Sequence, residues 1–350
     1  MMRSITLFLA IAGIALTNAS SEAPDMNVAV HSTKTMTTTG DDGTTSVGES
    51  ESNVVVTPKS TGAGGVIKNA HATLTTTDTH GNERVDAADS ISSATGNHVL
   101  SRDLASTSLS NKDGDSSVHA SESVLSASPD QAVSRDRVSE TLTNSAGDSR
   151  IDASEALTSA NSDELVSRGR HSTTLADATG NSQVDAQESL LTTNAKAKGG
   201  EPSLMVRDRK STTLEDADGN SDIDADESFT THAQDSGSQS LLTRDRHSRT
   251  LSNPDGDVVV GAQESLVHSL ATADHTEAVQ RDRESTTVTN HAGNQAVGAQ
   301  ESLITATSKH DSDGKPTLWD VVRRDRVSTT VDNPDGSSAL DASESTKTAD

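Results

Sequence analysis

The sequence predicts a tandem-repeat, low-complexity chain rather than a compact globular fold, and three observations carry that expectation. One pattern returns eight times after Gly65. Its copies start 33, 33, 33, 39, 37, 37 and 43 residues apart, and the added residues are polar or Gly-rich, as in the run from Ala195 to Gly200. Spacers of that kind read as loops outside a fixed unit. The composition is the third observation: 30% hydrophobic, 1% aromatic, with one Trp, two Phe and no Tyr. A compact domain of this length would need an apolar interior that these residues do not supply.

The chain begins with a secretory pattern. Arg3 supplies a positive n-region, Ile5 to Leu16 is apolar or small, and Thr17-Asn18-Ala19 offers a cleavage site after Ala19. The apolar run is shorter than the roughly 20 residues of a bilayer span. Residues 1–19 therefore read as a signal peptide, and the mature protein as secreted and extracellular, with no membrane span. Residues 20–65 are rich in Ser, Thr, Gly and acids without a helical or strand period, and read as a disordered arm.

Residues 66–350 hold the eight tandem repeats. Their loops start at Asp78, Asn111, Asn144, Asp177, Asp216, Asn253, Asn290 and Asn333. Gly holds the fourth place of every loop, an aliphatic residue the eighth and Ala the tenth; in the fifth copy these are Gly219, Ile223 and Ala225. Each unit offers too few apolar positions to fold alone, whereas stacked units could share a thin core.

In the fifth copy, Asp216, Asp218, Asn220, Asp224 and Glu227 occupy places 1, 3, 5, 9 and 12. The stretch from Asp216 to Glu227 resembles the calcium-binding loop of the EF-hand family, which takes oxygen ligands at those places. The resemblance implies degenerate helix-loop-helix units and weak Ca²⁺ binding. It carries over to Asn111, Asp113, Asp115 and Glu122 in the second copy, with His119 at place 9. In the fourth it carries over to Asp177, Asn181, Asp185 and Glu188, with Thr179 at place 3. Asn253, Asp255, Asp257 and Glu264 survive in the sixth copy without a ligand at Gly261, and the seventh keeps little beyond Asn290 and Glu301. Three departures stand against the family pattern. Place 6 is not Gly in any copy, place 13 is mostly Ser, and Ser211-Thr212-Thr213 is polar and β-branched where an entering helix needs an apolar stripe.

The alternatives are β-hairpin repeats and a largely disordered array. Asn253-Pro254-Asp255-Gly256 and Asn333-Pro334-Asp335-Gly336 are strong type I turn sequences whose Gly starts a bulge. Placing Asn253 opposite Asp257 sets Arg246 opposite Glu264. The same offset pairs Arg137 with Glu155, Arg170 with Glu188, Arg209 with Glu227, Arg283 with Glu301 and Arg326 with Glu344. The EF-hand reading leaves those arginines without a role.

The remaining motifs narrow function mainly by exclusion. With 28 Lys+Arg against 53 Asp+Glu, the net charge is -25, which disfavours nucleic acid and anionic membranes. No cysteine is present, so disulfides, zinc-thiolate sites and thiol catalysis are excluded. No Gly-x-Ser-x-Gly elbow, His-Glu-x-x-His pair or phosphate-binding loop occurs, and the expectation is that the chain is not an enzyme. Two function classes follow: a secreted acidic repeat protein that binds calcium weakly, or a metal-independent secreted interaction, surface or effector-like protein with an unknown extracellular partner.

Overall fold

The computed structural model describes residues 28–57, 64–194, 203–235, 237–311 and 316–349. The signal-peptide reading of residues 1–19 lies outside them. The strands are β1 (Val28–Thr39), β2 (Thr45–Thr57), β3 (Gly65–Thr77), β4 (Glu83–Thr95), β5 (His98–Ser110) and β6 (Ser116–Ala127). They continue as β7 (Gln131–Thr143), β8 (Ser149–Asn161), β9 (Glu164–Ala176), β10 (Ser182–Asn194), β11 (Ser203–Glu215) and β12 (Ser221–Asp235). The last are β13 (Ser238–Ser252), β14 (Val258–Thr272), β15 (His275–Thr289), β16 (Gln295–His310), β17 (Pro316–Asp332) and β18 (Ser338–Ala349).

Among the described residues there is no helix, so the EF-hand resemblance is corrected: these are β-hairpin repeats, not helix-loop-helix units. The turn explains why. In the fifth copy Gly219 N–H donates to the Asp216 carbonyl (2.9 Å), Asp216 N–H donates to the Asn220 carbonyl (3.0 Å), and Gly219 has φ +86°. That is a type I turn followed by a left-handed bulge residue, a geometry that sends the chain back antiparallel. Only Gly enters this backbone region without a steric penalty, which accounts for its presence at place 4 of every copy.

The same paired bonds close nine hairpins, one more than the repeat pattern gives. The extra one, Gly40 to Thr44, joins β1 and β2, so the reading of residues 20–65 as a disordered arm is corrected over residues 28–57. It carries Gly40 where the other turns carry Asp or Asn, and Glu49 where they carry Ala.

Each strand pairs antiparallel with its sequence neighbours, and no residue register joins non-consecutive strands. Apart from one irregularity at Lys309/His310 between β16 and β17, the pairing is in line. Thr38 of β1 faces Ser46, then Thr76, Arg84, Leu109 and Ser117, and the same row continues to Val331 and Ala339 of β18. The sheet thus accumulates no stagger across its width, and among the described residues β1 and β18 are its two edges.

Among the described residues no apolar residue is buried, and Ser308 is the one buried polar residue. Leu340 is 72% exposed and Ile67 50%. A single layer has no interior to fill, which reconciles an ordered fold with a sequence this poor in apolar residues. Order comes instead from backbone ladders and from side-chain rows running across the strands.

Candidate functional site

Side chains two apart on a strand share a face, and straight pairing aligns each repeated place into a row. Place 12 makes a charged one. Glu122, Arg137, Glu155, Arg170, Glu188, Arg209, Glu227, Arg246, Glu264, Arg283, Glu301, Arg326 and Glu344 stand side by side from β6 to β18. All six Arg–Glu pairings expected from the turn geometry lie in this register. Contacts include Arg137–Glu155 at 3.1 Å, Arg209–Glu227 at 3.3 Å and Arg326–Glu344 at 3.1 Å. The row also bridges hairpins, with Glu122–Arg137 at 3.6 Å and Glu227–Arg246 at 3.9 Å.

A second set of arginines, several of them in Arg-Asp-Arg elements for which the sequence suggests a pairing or solvated role, finds partners that the turn offset alone does not give. Arg102, Arg135, Arg168, Arg207 and Arg324 lie two residues before the ladder place and reach diagonally to the same glutamates, Arg207 to Glu227 at 2.7 Å and Arg135 to Glu155 at 2.8 Å. Arg-Asp-Arg recurs at 135–137, 207–209, 244–246, 281–283 and 324–326, whereas Arg102 precedes Asp103-Leu104 and Arg168 precedes Gly169-Arg170. The outer residues of the triplet share the ladder face, and its central Asp points to the other, where Asp282 accepts from Ser265 at 2.7 Å and Asp325 from Ser302 at 2.8 Å.

The turns form a second array. In the fifth copy the Asp216 carboxylate accepts from Asp218 N–H (3.0 Å), Asn220 N–H (2.9 Å) and the Asn220 amide (2.7 Å). Asp177 does the same for Thr179 and Asn181, and Asn111 Oδ1 accepts from Asp113 and Asp115 N–H while the Asn111 amide donates to the Asp115 carboxylate. Place 5 then reaches the next turn. Asp115 accepts from Ser145 N–H (2.8 Å), Asp148 from Ala178 (2.9 Å), Asn181 from Ala217 (2.9 Å) and Asp257 from His291 (2.8 Å). Pro254 and Pro334 have no N–H to give, so Asn220 and Asn294 lack this staple.

These bonds stabilise the charged carboxylates. The Thr179 hydroxyl, then the Asn181 amide and N–H, hold Asp177 far below the usual range. The Asn220 amide and N–H lower Asp216, and the Asn111 amide with Ser145 N–H lowers Asp115. The Thr212 hydroxyl and the Gln183 amide lower Asp185.

The proposed calcium-ligand sets are therefore dispersed. Asp216, Asp218 and Asn220 sit in the turn, Asp224 lies on β12 facing Thr212, and Glu227 belongs to the ladder. At about 3.3 Å per residue, Glu227 lies roughly 20 Å along the strand from the turn. The second set separates in the same way: Asn111, Asp113 and Asp115 in the turn, Glu122 with Arg102. So does the fourth, with Asp177 and Asn181 in the turn, Asp185 with Thr212, and Glu188 with Arg168. The residues do not fit a single calcium ion per loop. One different grouping does form: His247 Nδ1 lies 2.8 Å from Asp226 and 3.4 Å from Asp224, on the face opposite the ladder.

Two open spaces border these rows. One of about 1400 Å³ runs beside the turns and is edged by Leu109, Leu142, Leu175, Leu214 and Leu251. A second of about 1130 Å³ lies against the ladder, at Glu122, Arg137, Glu155 and Arg170.

No family model matches the chain, and no curated protein does. Among solved structures, a bacterial polysaccharide outer membrane secretin is similar at 10% identity with a TM-score of 0.19, over 76% of this chain and 90% of that one. At that TM-score the similarity says nothing about this chain's fold or activity.

Proposed function

We propose that this is an exported, non-catalytic repeat protein whose hairpins form a metal-independent acidic sheet for interaction at or outside the cell surface. The observation that carries the reading is the commitment of Glu227 and its equivalents to arginine pairs, which gives place 12 a structural role without calcium. Places 1 and 5 are likewise used in closing and stapling turns. No helix among the described residues is long and apolar enough to cross a membrane. The sheet itself carries charge at mid-strand on both faces, Arg209 and Glu227 on one, Lys210 and Asp226 on the other, where a lipid-facing strand needs an apolar band.

The test has two arms. Expressed with its first 19 residues, the chain is expected in the extracellular fraction, cut after Ala19. Purified, it is expected to give the same β-type far-UV circular dichroism and the same urea midpoint in EDTA and in millimolar Ca²⁺. Retention of the uncut chain inside the cell refutes export, and a calcium-induced helical signal refutes the metal-independent sheet.

A further inference from the structure

The two edge strands match each other. β1 and β18 are each 12 residues long, and among the described residues each is paired on one side only. Because the rows run straight, they fix how β18 of one molecule would meet β1 of the next. Ser338 would face Thr39 and Ala349 would face Val28, with all 12 positions in register.

The row chemistry carries across that junction. The row in which aliphatic residues alternate with Thr or Ser ends at Leu340 and begins at Thr37. The row in which Ala alternates with Ser ends at Ala342 and begins at Thr35. Asp341 would lie diagonal to Lys34 on one face, a favourable opposite-charge placement. No acidic residue of β18 would face an acid, because β1 contains none. β18 is also exposed along its whole length, including Leu340.

Closure of one chain on itself is the competing use of the same edges. Closing a sheet into a barrel requires strands tilted about 35–45° and a staggered register. This sheet reaches β18 with no stagger, so joining its own edges would demand an unstaggered cylinder. Joining edges of different molecules demands nothing new. The operation is head-to-tail, and such contacts extend into an open array wherever their rotation does not close a ring.

We infer that the chain assembles head-to-tail, β18 of one copy pairing in register with β1 of the next, into an open sheet that continues the repeat. The inference rests on the hairpin reading above, and dichroism in EDTA tests that reading separately. The absence of cysteine makes a clean probe possible. With Thr35→Cys and Ala342→Cys in one chain from Ser20 onward, mild oxidation is expected to yield a ladder of dimers, trimers and higher species on non-reducing gels. Each single variant is expected to give dimers at most. The unsubstituted chain is expected to gain mass with concentration by light scattering, and to lose it when a peptide of residues 338–349 is added. A double variant that oxidises within one monomer, or not at all while its dichroism stays β, overturns the inference. So does an unsubstituted chain that remains monomeric at every concentration.

Discussion

Glu227 is the most informative single position in the sheet, because the two readings of its repeat give it incompatible roles. Its carboxylate lies 2.7 Å from Arg207 and 3.3 Å from Arg209, with Arg244 and Arg246 both at 3.9 Å. The Glu227 side chain is 18% exposed and that of Arg209 47%, so solvent screens the pairs substantially. Cross-strand ion pairs contribute about 0.2–1 kcal/mol each. Two close pairs and two at the limit of contact put Glu227→Gln at about 1–2 kcal/mol of lost stability. Glu227→Arg, which adds a fifth guanidinium to four, is expected to cost about 2–4 kcal/mol, since facing like charges destabilise by similar amounts. Urea unfolding followed by far-UV dichroism measures both, at low salt and at about 1 M NaCl, where the Debye length of about 3 Å removes most of the difference. The effect is read as unfolding of neighbouring hairpins, since repeats couple mainly to their neighbours. Asp218→Asn, in the exposed turn, is the control and is expected to stay within about 0.5 kcal/mol. If Glu227→Arg is no worse than Glu227→Gln, or if salt leaves the loss unchanged, the ladder does not act as described.

Two further outcomes are expected. Gly219→Val forces a β-branched residue to φ +86°, and should lower stability by more than about 1 kcal/mol, whereas Gly219→Asn should cost less; equal midpoints for the two would refute the bulge geometry as the cause. Acid should also weaken the turns. The carboxyls of Asp115, Asp177 and Asp216 sit below their unfolded values, so their contribution is complete above about pH 4–5 and is lost as pH falls through the folded values. The urea midpoint should hold from pH 7 to 5 and decline below about 4. Asp216→Asn, which installs the residue already found at Asn111 and Asn253, should blunt that decline, and an undiminished decline would count against the turn bonds.

Much of this architecture is written in the repeat, yet the same letters fit two structures. Asp or Asn at place 1 and Gly at place 4 serve a hairpin bulge and superficially serve a metal loop, so the turns alone could not discriminate. The arginine offset could: Arg246 with Glu264 and Arg209 with Glu227 are paired in the observed register, as the hairpin reading requires. The usual strand signal, apolar and polar alternating along one segment, is weak here because alternation runs across strands instead. Ile223 has Thr213 and Thr250 beside it rather than more aliphatics. The first hairpin escaped detection because Gly40 and Glu49 depart from the pattern at two of its most regular places. Bridging contacts such as Glu122–Arg137 depend on hairpins stacking in line, and no single repeat encodes that.

A sheet whose rows never stagger behaves as a measuring strip. Each hairpin advances it by two strand spacings, about 10 Å, and the 18 strands together extend roughly 80 Å across the pairing direction. Gaining or losing one hairpin would shift every later unit by that increment and leave each row in the same sequence of partners. Reach is thus decoupled from surface chemistry: copy number sets how far the strip extends, and the composition of one unit sets what it presents along the way.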